Sequence, residues 1–163
     1  YKDCTHKVEI LCKKHNKIFR VLPIAHLEGD GCPECWKSAL ELRLIAYLTE
    51  HTDYTLLTQH LFPWLKTSRS MPLDIYIPEL KIAIECQGLQ HFFPRPTFGG
   101  IEGLEHQKKK DKLKYALCEE HGIKLIYFVD KGCPTDIKYY GKIFRKMNDI
   151  VKYLSTIESN TLK

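Results

Sequence analysis

The spacing of apolar residues along the chain predicts alternating helices and strands. Three stretches repeat apolar residues at three- and four-residue steps, which is the spacing of an amphipathic helix. The predicted helices cover residues 38–50, residues 103–121 and a last stretch from residue 136 onward. Runs rich in β-branched and aromatic residues predict strands at residues 54–57, 73–77, 81–86 and 124–129. The resulting order, αβββαβα, predicts an α/β fold.

The first 37 residues follow a different pattern. Two short strands, at residues 8–11 and 18–22, predict a hairpin. This segment contains too little apolar surface to fold unaided, whereas the chain of 163 residues has room for a small unit and one main domain. We therefore predict an N-terminal unit over residues 1–37 and a main domain over residues 38–163.

Cysteine and histidine spacing in the N-terminal unit predicts a zinc site. Cys12 and His15 form a C-x-x-H pair, and Cys32 and Cys35 form a C-x-x-C pair after sixteen intervening residues. Each pair brings two ligands to one tight turn, and two such turns complete a tetrahedral site. Four protein ligands leave no open position, so the zinc would be structural and would supply folding free energy. The alternatives are unmetallated thiols, a redox C-x-x-C motif, or competing ligands at Cys4, His6 and His26.

Composition narrows the class of protein. Hydrophobic residues make up 44% of the chain and charged residues 28%, as in folded globular domains. The sequence contains no apolar run near the ~20 residues that cross a bilayer, and we expect neither membrane insertion nor secretion. Seven cysteines, an odd number, fit a reducing cytoplasmic compartment better than a disulfide framework. A net charge of +5 permits a polyanionic partner without requiring one.

Two carboxylates in the predicted strands carry the candidate chemistry. With the connecting turn centred between Glu79 and Leu80, Asp74 lies directly opposite Glu85. Facing carboxylates repel each other unless a cation or a shared proton lies between them. Oxygen ligands favour Mg²⁺ or Mn²⁺, and such an ion can activate a water and stabilise charge on a phosphate. The pair therefore predicts a divalent metal site for phosphate chemistry. Taken singly, Asp74 is instead an exposed edge residue and Glu85 is instead the partner of a lysine.

Two further residues extend this predicted site. Glu41 lies three residues after Ser38, so it is either part of a helix capping box or a holder of a water at the metal. Gln87 shares a strand face with Glu85, and it either contacts the attacking water or phosphate or simply ends the strand.

Several sequence strings resemble the PD-(D/E)xK nuclease superfamily. The resemblance lies in LDIYIPELKIAIECQGLQHF, in FGGIEGL, in the D-x-x-K formed by Asp111 and Lys114, and in GIKLIYF. It covers residues 39–129 and is closest to the branch of very-short-patch-repair and phage homing-type nucleases. The N-terminal cysteine and histidine pairs resemble a zinc ribbon often joined to that branch. The resemblance implies a restriction-endonuclease-like αβββαβ core with a C-terminal helix and a small zinc-binding hairpin.

The same resemblance implies roles for individual residues. The acidic residue of the first helix matches Glu41, the strand aspartate matches Asp74, and the glutamate of the E-x-K motif matches Glu85. Gln87 stands at the lysine position of that motif, which is a departure from the family pattern.

His91, Asp111 and Lys114 match further residues of this branch, and we expect His91 and Lys114 to be catalytic. His91 would shuttle a proton or donate to a phosphate, or else it is an ordinary loop histidine. Basic residues around this region are predicted to contact nucleic acid, or else to form a solvated face: Arg69, Lys108, Lys109, Lys110 and Lys112.

These observations predict a metal-dependent endonuclease that nicks or cuts double-stranded DNA, with catalytic Mg²⁺ or Mn²⁺ and structural Zn²⁺. A homodimer, or an additional DNA-binding domain outside this chain, is compatible with that prediction. The alternatives are a catalytically inactive nucleic-acid-binding module and a zinc-stapled protein-interaction domain.

Overall fold

The described residues form four helices and seven strands, which confirms the predicted α/β class. The computed structural model describes residues 6–13, 16–27, 32, 38–94, 99–136 and 139–161. The strands are β1 (Val8–Cys12), β2 (Lys17–Val21), β3 (Leu57–His60), β4 (Leu73–Ile77), β5 (Ile82–Gln87), β6 (Lys124–Val129) and β7 (Ile143–Phe144). The helices are α1 (Pro23–Leu27), α2 (Ala39–His51), α3 (Gly100–Glu120) and α4 (Met147–Thr161).

The chain divides into two compact units, Tyr1–Ala39 and Leu40–Lys163. In the first unit, β1 and β2 pair as an antiparallel hairpin in which Leu11 lies opposite Ile18. Both side chains are more than half exposed, at 52% and 61%. The hairpin therefore leaves much of its apolar surface in contact with solvent, and its packing alone contributes little hydrophobic stabilisation.

The second unit is built on a five-stranded sheet in the order β3-β4-β5-β6-β7. The pairs β3–β4 and β4–β5 are antiparallel, whereas β5–β6 and β6–β7 are parallel. Helices α2 and α4 cover one face of the sheet and α3 covers the other, each with its own apolar cluster. Because β5 is central and covered on both faces, all six of its residues are buried. No helix in the described parts of the chain is long and apolar enough to cross a membrane.

The β4–β5 hairpin has the register that strand alternation predicted. Ile75 pairs with Ile84, and Ile77 pairs with Ile82. Pro78–Leu80 forms a 3₁₀ turn, and Lys81 follows it with a left-handed φ of 50°. The left-handed residue belongs to the turn, so β5 begins at Ile82 and not at residue 81 as predicted. The register places Asp74 and Glu85 at the same level of neighbouring strands.

Strand β3 lies three residues later than predicted. Residues 54–57 were expected to be the strand, but pairing with β4 runs from Leu57 to His60. Tyr54 packs against the core and donates its hydroxyl to the Glu158 carboxylate at 2.8 Å. Thr55 donates its amide to the Glu79 carboxylate at 2.9 Å. The apolar signal at residues 54–57 therefore reflects side-chain packing ahead of the strand, while the strand itself is half-buried and largely polar.

The C-terminal helix begins later than predicted, and α3 begins earlier. Residues from 136 onward were expected to be helical, but Ile143 and Phe144 form β7 and the helix begins at Met147. Pairing with β6 and burial of Phe144 in the core outweigh the helical spacing of this short segment. Helix α3 starts at Gly100, directly after Gly99, whose φ of 80° suits a glycine.

Candidate active site

Side chains from five elements meet at one end of the sheet. They are Glu41 of α2, Gln59 of β3, Asp74 of β4, Glu85 of β5 and Lys114 of α3. All five belong to the second unit. The structure therefore brings together four residues that were predicted for the site and one that was not.

Each of the two facing carboxylates is held by a backbone amide of the other strand. Asp74 donates its amide to Glu85 Oε1 at 3.2 Å, and Cys86 donates its amide to Asp74 Oδ2 at 2.8 Å. Hydrogen bonds from fixed backbone donors orient a carboxylate more firmly than flexible side chains do. Glu85 is 5% exposed and Asp74 is half-buried, so the pair is accessible from the Asp74 side.

Lys114 supplies a positive charge from the helix that covers this face. Its Nζ donates to Glu85 Oε2 and to the Pro72 carbonyl oxygen, both at 2.7 Å. The pair is nearly fully enclosed, with 9% of the Lys114 side chain and 7% of the Glu85 side chain exposed. Burial without these partners would be costly for either charge, so each residue requires the other.

The group formed by Asp74, Glu85 and Lys114 contains more acidic than basic side chains. Burial raises the pKa of Glu85 to about 8, against the opposing attraction of Lys114. Burial also opposes the charge on Lys114, but the carboxylates of Glu85 and Asp74 outweigh it and raise the Lys114 pKa, so the ammonium stays charged. One ammonium does not neutralise two carboxylates. A proton or a further cation is therefore needed for both acids to be tolerated together.

Gln59 is a site residue that the sequence analysis missed. Its Nε2 donates to Glu41 Oε1 at 2.9 Å and to Asp74 Oδ1 at 3.1 Å. Its backbone has a left-handed φ of 50°, which is uncommon for a residue other than glycine. No local signal marks this glutamine, because its role depends on β3 pairing beside β4. Through it, the buried Glu41 is joined to the carboxylate pair.

Gln87 presents a buried acceptor in the same region. Only 1% of the residue is exposed, and its Oε1 has no hydrogen-bond partner in the described part of the chain. A buried acceptor without a partner is destabilising unless a ligand, water or ion satisfies it. Amide oxygens are suitable ligands for hard divalent cations.

The residues present fit such a cation by their chemistry. Asp74 and Glu85 offer carboxylate oxygens, and Gln87 offers an unpartnered amide oxygen. Over the described ranges of the chain, no three His, Cys, Asp or Glu side chains are grouped tightly enough to form a metal centre by themselves. A metal here would therefore be held by two carboxylates, an amide oxygen and water, as Mg²⁺ often is.

A second polar cluster surrounds Asp111, one helical turn from Lys114 on α3. The Asp111 carboxylate accepts hydrogen bonds from Gln107 Nε2 at 2.7 Å and from the Tyr139 hydroxyl at 2.6 Å. His91 Nδ1 lies 3.1 Å from Asp111 Oδ2. Burial raises the Asp111 pKa, but the hydrogen bond and charge of His91, with the other two donors, outweigh it and lower the pKa. An ionised Asp111 requires His91 Nδ1 to carry the proton, so Nε2 is the acceptor in the neutral ring.

The residues predicted to contact nucleic acid lie on α3 and in the loop before β4. Lys108, Lys109 and Lys112 are exposed on α3, and Lys110 is half-buried. Arg69 is exposed in the loop between β3 and β4, where its carbonyl accepts from the Thr67 amide at 3.0 Å. Within the described residues, the four lysine side chains form no hydrogen bond to the carboxylate pair.

Two of the four predicted zinc ligands are described. Cys12 ends β1 and is half-buried, and Cys32 is buried at 4% exposure. His15 and Cys35 lie outside the described residues, as does the competing ligand Cys4. Lys14, which precedes His15, and Pro33, which follows Cys32, also lie outside them.

Comparison with known proteins links the chain to segments of viral proteins. No protein-family model and no solved structure matches it. It is 45% identical over 62 residues to Uncharacterized protein 094L of Frog virus 3 (isolate Goorha), covering 37% of this chain and 40% of that protein. It is 32% identical over 69 residues to Uncharacterized protein 307L of Invertebrate iridescent virus 6, covering 40% of this chain and 35% of that protein. The matched segment thus spans less than half the length of either relative.

Proposed function

We propose that this chain is a metal-dependent endonuclease that hydrolyses phosphodiester bonds of double-stranded DNA. The observation that carries the proposal is the meeting of Asp74, Glu85 and Lys114 at one end of the sheet. The order α2-β3-β4-β5-α3-β6 also agrees with the αβββαβ core that the sequence resemblance implies. We therefore propose that the second unit has a restriction-endonuclease-like fold.

Asp74, Glu85 and the Gln87 amide oxygen would hold Mg²⁺ or Mn²⁺. The ion would supply Lewis-acid stabilisation of the charge that develops on the scissile phosphate. Glu41 would act indirectly, because Gln59 connects it to Asp74. This chain's own contribution is to orient the two carboxylates through the backbone amides of Asp74 and Cys86.

Lys114 would take the role that the resemblance gives to a lysine two residues after Glu85. Gln87 stands at that strand position, but Lys114 reaches Glu85 Oε2 from α3 at 2.7 Å. An ammonium in this place can attract a phosphate and stabilise negative charge in the transition state. A strand lysine is therefore not required for a cation to lie beside the glutamate.

His91 would transfer a proton during hydrolysis. Asp111 holds the ring through Nδ1, so Nε2 is available to accept a proton from the attacking water, and the resulting imidazolium can then donate that proton to the leaving oxygen. Gln107 and Tyr139 position Asp111 and thereby the imidazole. His91 is the catalytic group in this arrangement, and the other three are positioning residues.

One observation favours a second candidate, a DNA-binding module without activity. The Lys114–Glu85 ion pair partly neutralises the acids without a metal. Such a module would bind DNA with a salt-dependent affinity and leave it intact.

Cleavage of supercoiled plasmid with a panel of divalent ions tests the proposal. We expect nicking to require Mg²⁺ or Mn²⁺, and Asp74→Asn and Glu85→Gln to reduce its rate at least ~100-fold, since each removes one ligand charge. Glu102→Gln, at an exposed position on α3, is the matched control and should cleave at the wild-type rate. Equal cleavage by all variants contradicts the proposed site, and DNA binding without any cleavage favours the inactive module.

For the N-terminal unit, we propose a structural zinc ion bound by Cys12, His15, Cys32 and Cys35. The support is the ligand spacing together with a hairpin that buries little apolar surface. The zinc would stabilise this unit without taking part in hydrolysis.

A further inference from the structure

A basic cavity lies at the C-terminal end of β6, apart from the carboxylate pair. Its volume is about 300 Å³, and it is bordered by α2, by the end of β6 and by the beginning of α4. The charged residues that line it are Arg43, Asp130, Lys131, Arg145 and Lys146. Four cations thus surround one carboxylate.

The cations of this cavity lack sufficient counter-charge. Arg43, Lys131 and Lys146 are exposed and form no ion pair with any described residue. The one carboxylate, Asp130, accepts a hydrogen bond from the Lys131 amide at 2.8 Å through Oδ1. Like charges gathered in a concave surface raise the local concentration of anions. The cavity therefore favours a ligand with more than one negative oxygen.

Arg145 and α4 give the cavity a fixed shape. The Arg145 guanidinium donates to the carbonyl oxygens of Asp130, Cys133 and Pro134, and so holds the loop after β6 in place. Met147 and Asn148 line the cavity in the first turn of α4, where backbone amides have no partner within the helix. Free amides at the start of a helix favour an anion, here in addition to the side-chain cations.

The cavity lies at the same end of the sheet as the proposed active site, on the side that α2 and α4 cover. Val129, which lines it, pairs in register with Gln87 at the end of β5, and the Asp130 amide donates to the Gln87 carbonyl oxygen at 3.2 Å. Paired strands lie about 4.8 Å apart. A polyanion that extends from the carboxylates along this end of the sheet would therefore bring its next charged groups towards the cavity.

We propose that this cavity binds a backbone phosphate of the DNA strand, next to the phosphodiester at the Asp74–Glu85 site. This inference rests on the proposed function, because it takes DNA as the substrate. The recognised chemistry is a phosphate group, and the position beside Gln87 favours a phosphate of the bound strand over a free phosphate ion. The cavity would fix the position of the strand while the carboxylate site acts on it.

Salt-dependent DNA binding by the whole chain tests this inference. Anisotropy of a labelled duplex would be measured without added Mg²⁺ or Mn²⁺ and without a chelator, so that the DNA is not cleaved and zinc is retained, for the wild type and for Lys131→Gln/Lys146→Gln. Loss of one phosphate contact lowers the slope of log Kd against log salt concentration by roughly 1. Lys152→Gln, an exposed lysine of α4 outside the cavity, is the matched control and should keep the wild-type slope. Both cavity lysines are exposed, and a second variant, Lys146→Glu, should weaken binding further.

Titration of inorganic phosphate, followed by the NMR amide shifts of Lys131 and Asn148, identifies the source of the phosphate. Unchanged DNA binding by the cavity variants overturns the inference, and saturable binding of free phosphate in that case assigns the cavity to a small anion. If the wild type cleaves plasmid while the cavity variants match the control, the inference alone fails. If the wild type binds no DNA at all, the proposed function fails with it.

Discussion

At the scale of single residues, Asp111 combines burial with three hydrogen-bonding partners. The carboxyl group is 4% exposed and faces His91, Gln107 and Tyr139. Charge-assisted hydrogen bonds from several donors stabilise an ionised carboxylate strongly enough to offset its desolvation. The lowered pKa of Asp111 follows from this balance, and it links the orientation of His91 to the stability of the fold.

Asp111→Asn should destabilise the protein by about 1–3 kcal/mol at pH 7, because buried donors lose their charged acceptor. The difference in unfolding free energy between the wild type and Asp111→Asn should shrink as the pH falls below 3.8, the ordinary pKa of an aspartate carboxyl group. In that range the unfolded chain binds a proton before the native carboxyl does, so native stability falls with pH. Urea unfolding between pH 3 and pH 7 measures this effect. Asp53→Asn, at an exposed position, is the control. If the stability lost in Asp111→Asn did not depend on pH, the lowered pKa of Asp111 would be contradicted.

At the scale of elements, β7 depends on a close approach of backbone to backbone. Gly141 precedes the strand, and a Cβ at this position would collide with the Leu125 carbonyl oxygen. It would also lie 3.1 Å and 3.2 Å from the rings of Tyr115 and Tyr127. Only glycine allows the chain to come this close to β6 before Ile143 and Phe144 pair with it.

Gly141→Ala should therefore destabilise the protein by about 2–4 kcal/mol, since the collision is with backbone and cannot be relieved by a side-chain rotation. Gly132→Ala is the matched control, because its Cβ would meet nothing closer than Leu89 Cδ2 at 3.8 Å. Its effect should stay within about 1 kcal/mol. Thermal unfolding of both variants makes the comparison. Equal stability of the two would show that β7 tolerates a larger separation from β6.

At the scale of the whole molecule, the two units are stabilised in different ways. The second unit has an apolar cluster on each face of its sheet. The first exposes Leu11 and Ile18 on its hairpin, and also Ile24 and Leu27 on α1. Hydrophobic burial therefore accounts for the folding of the second unit, while we propose that zinc binding is needed for the first.

Cys32→Ser should abolish zinc binding and unfold the first unit, with little effect on the melting temperature of the second. Metal analysis should find one zinc per wild-type chain, and hydrogen exchange should show loss of protection confined to β1 and β2. Cys133→Ser, in the second unit, is the control and should retain zinc. A wild-type protein purified without chelators that contains no zinc would contradict the proposal.

The sequence by itself determined the α/β class and the pairing of Asp74 with Glu85. Both follow from short-range rules, because strand alternation and a short turn set which residues of a hairpin lie opposite each other. The same rules placed β3 three residues too early and did not predict β7. The spacing of apolar residues in those segments indicates which side chains are buried, but it does not identify the strand to which the backbone is hydrogen-bonded.

Only the tertiary structure decided how the residues of the candidate site contact each other. The resemblance named Lys114, but its ion pair with Glu85 joins residues 29 positions apart. Gln59, which the sequence did not indicate, joins Glu41 to Asp74 from an edge strand. The contact of Tyr139 with Asp111 likewise spans 28 positions. Such contacts depend on how α3 and β3 lie against the sheet, which is set by packing of the whole core and not by the period of any one element.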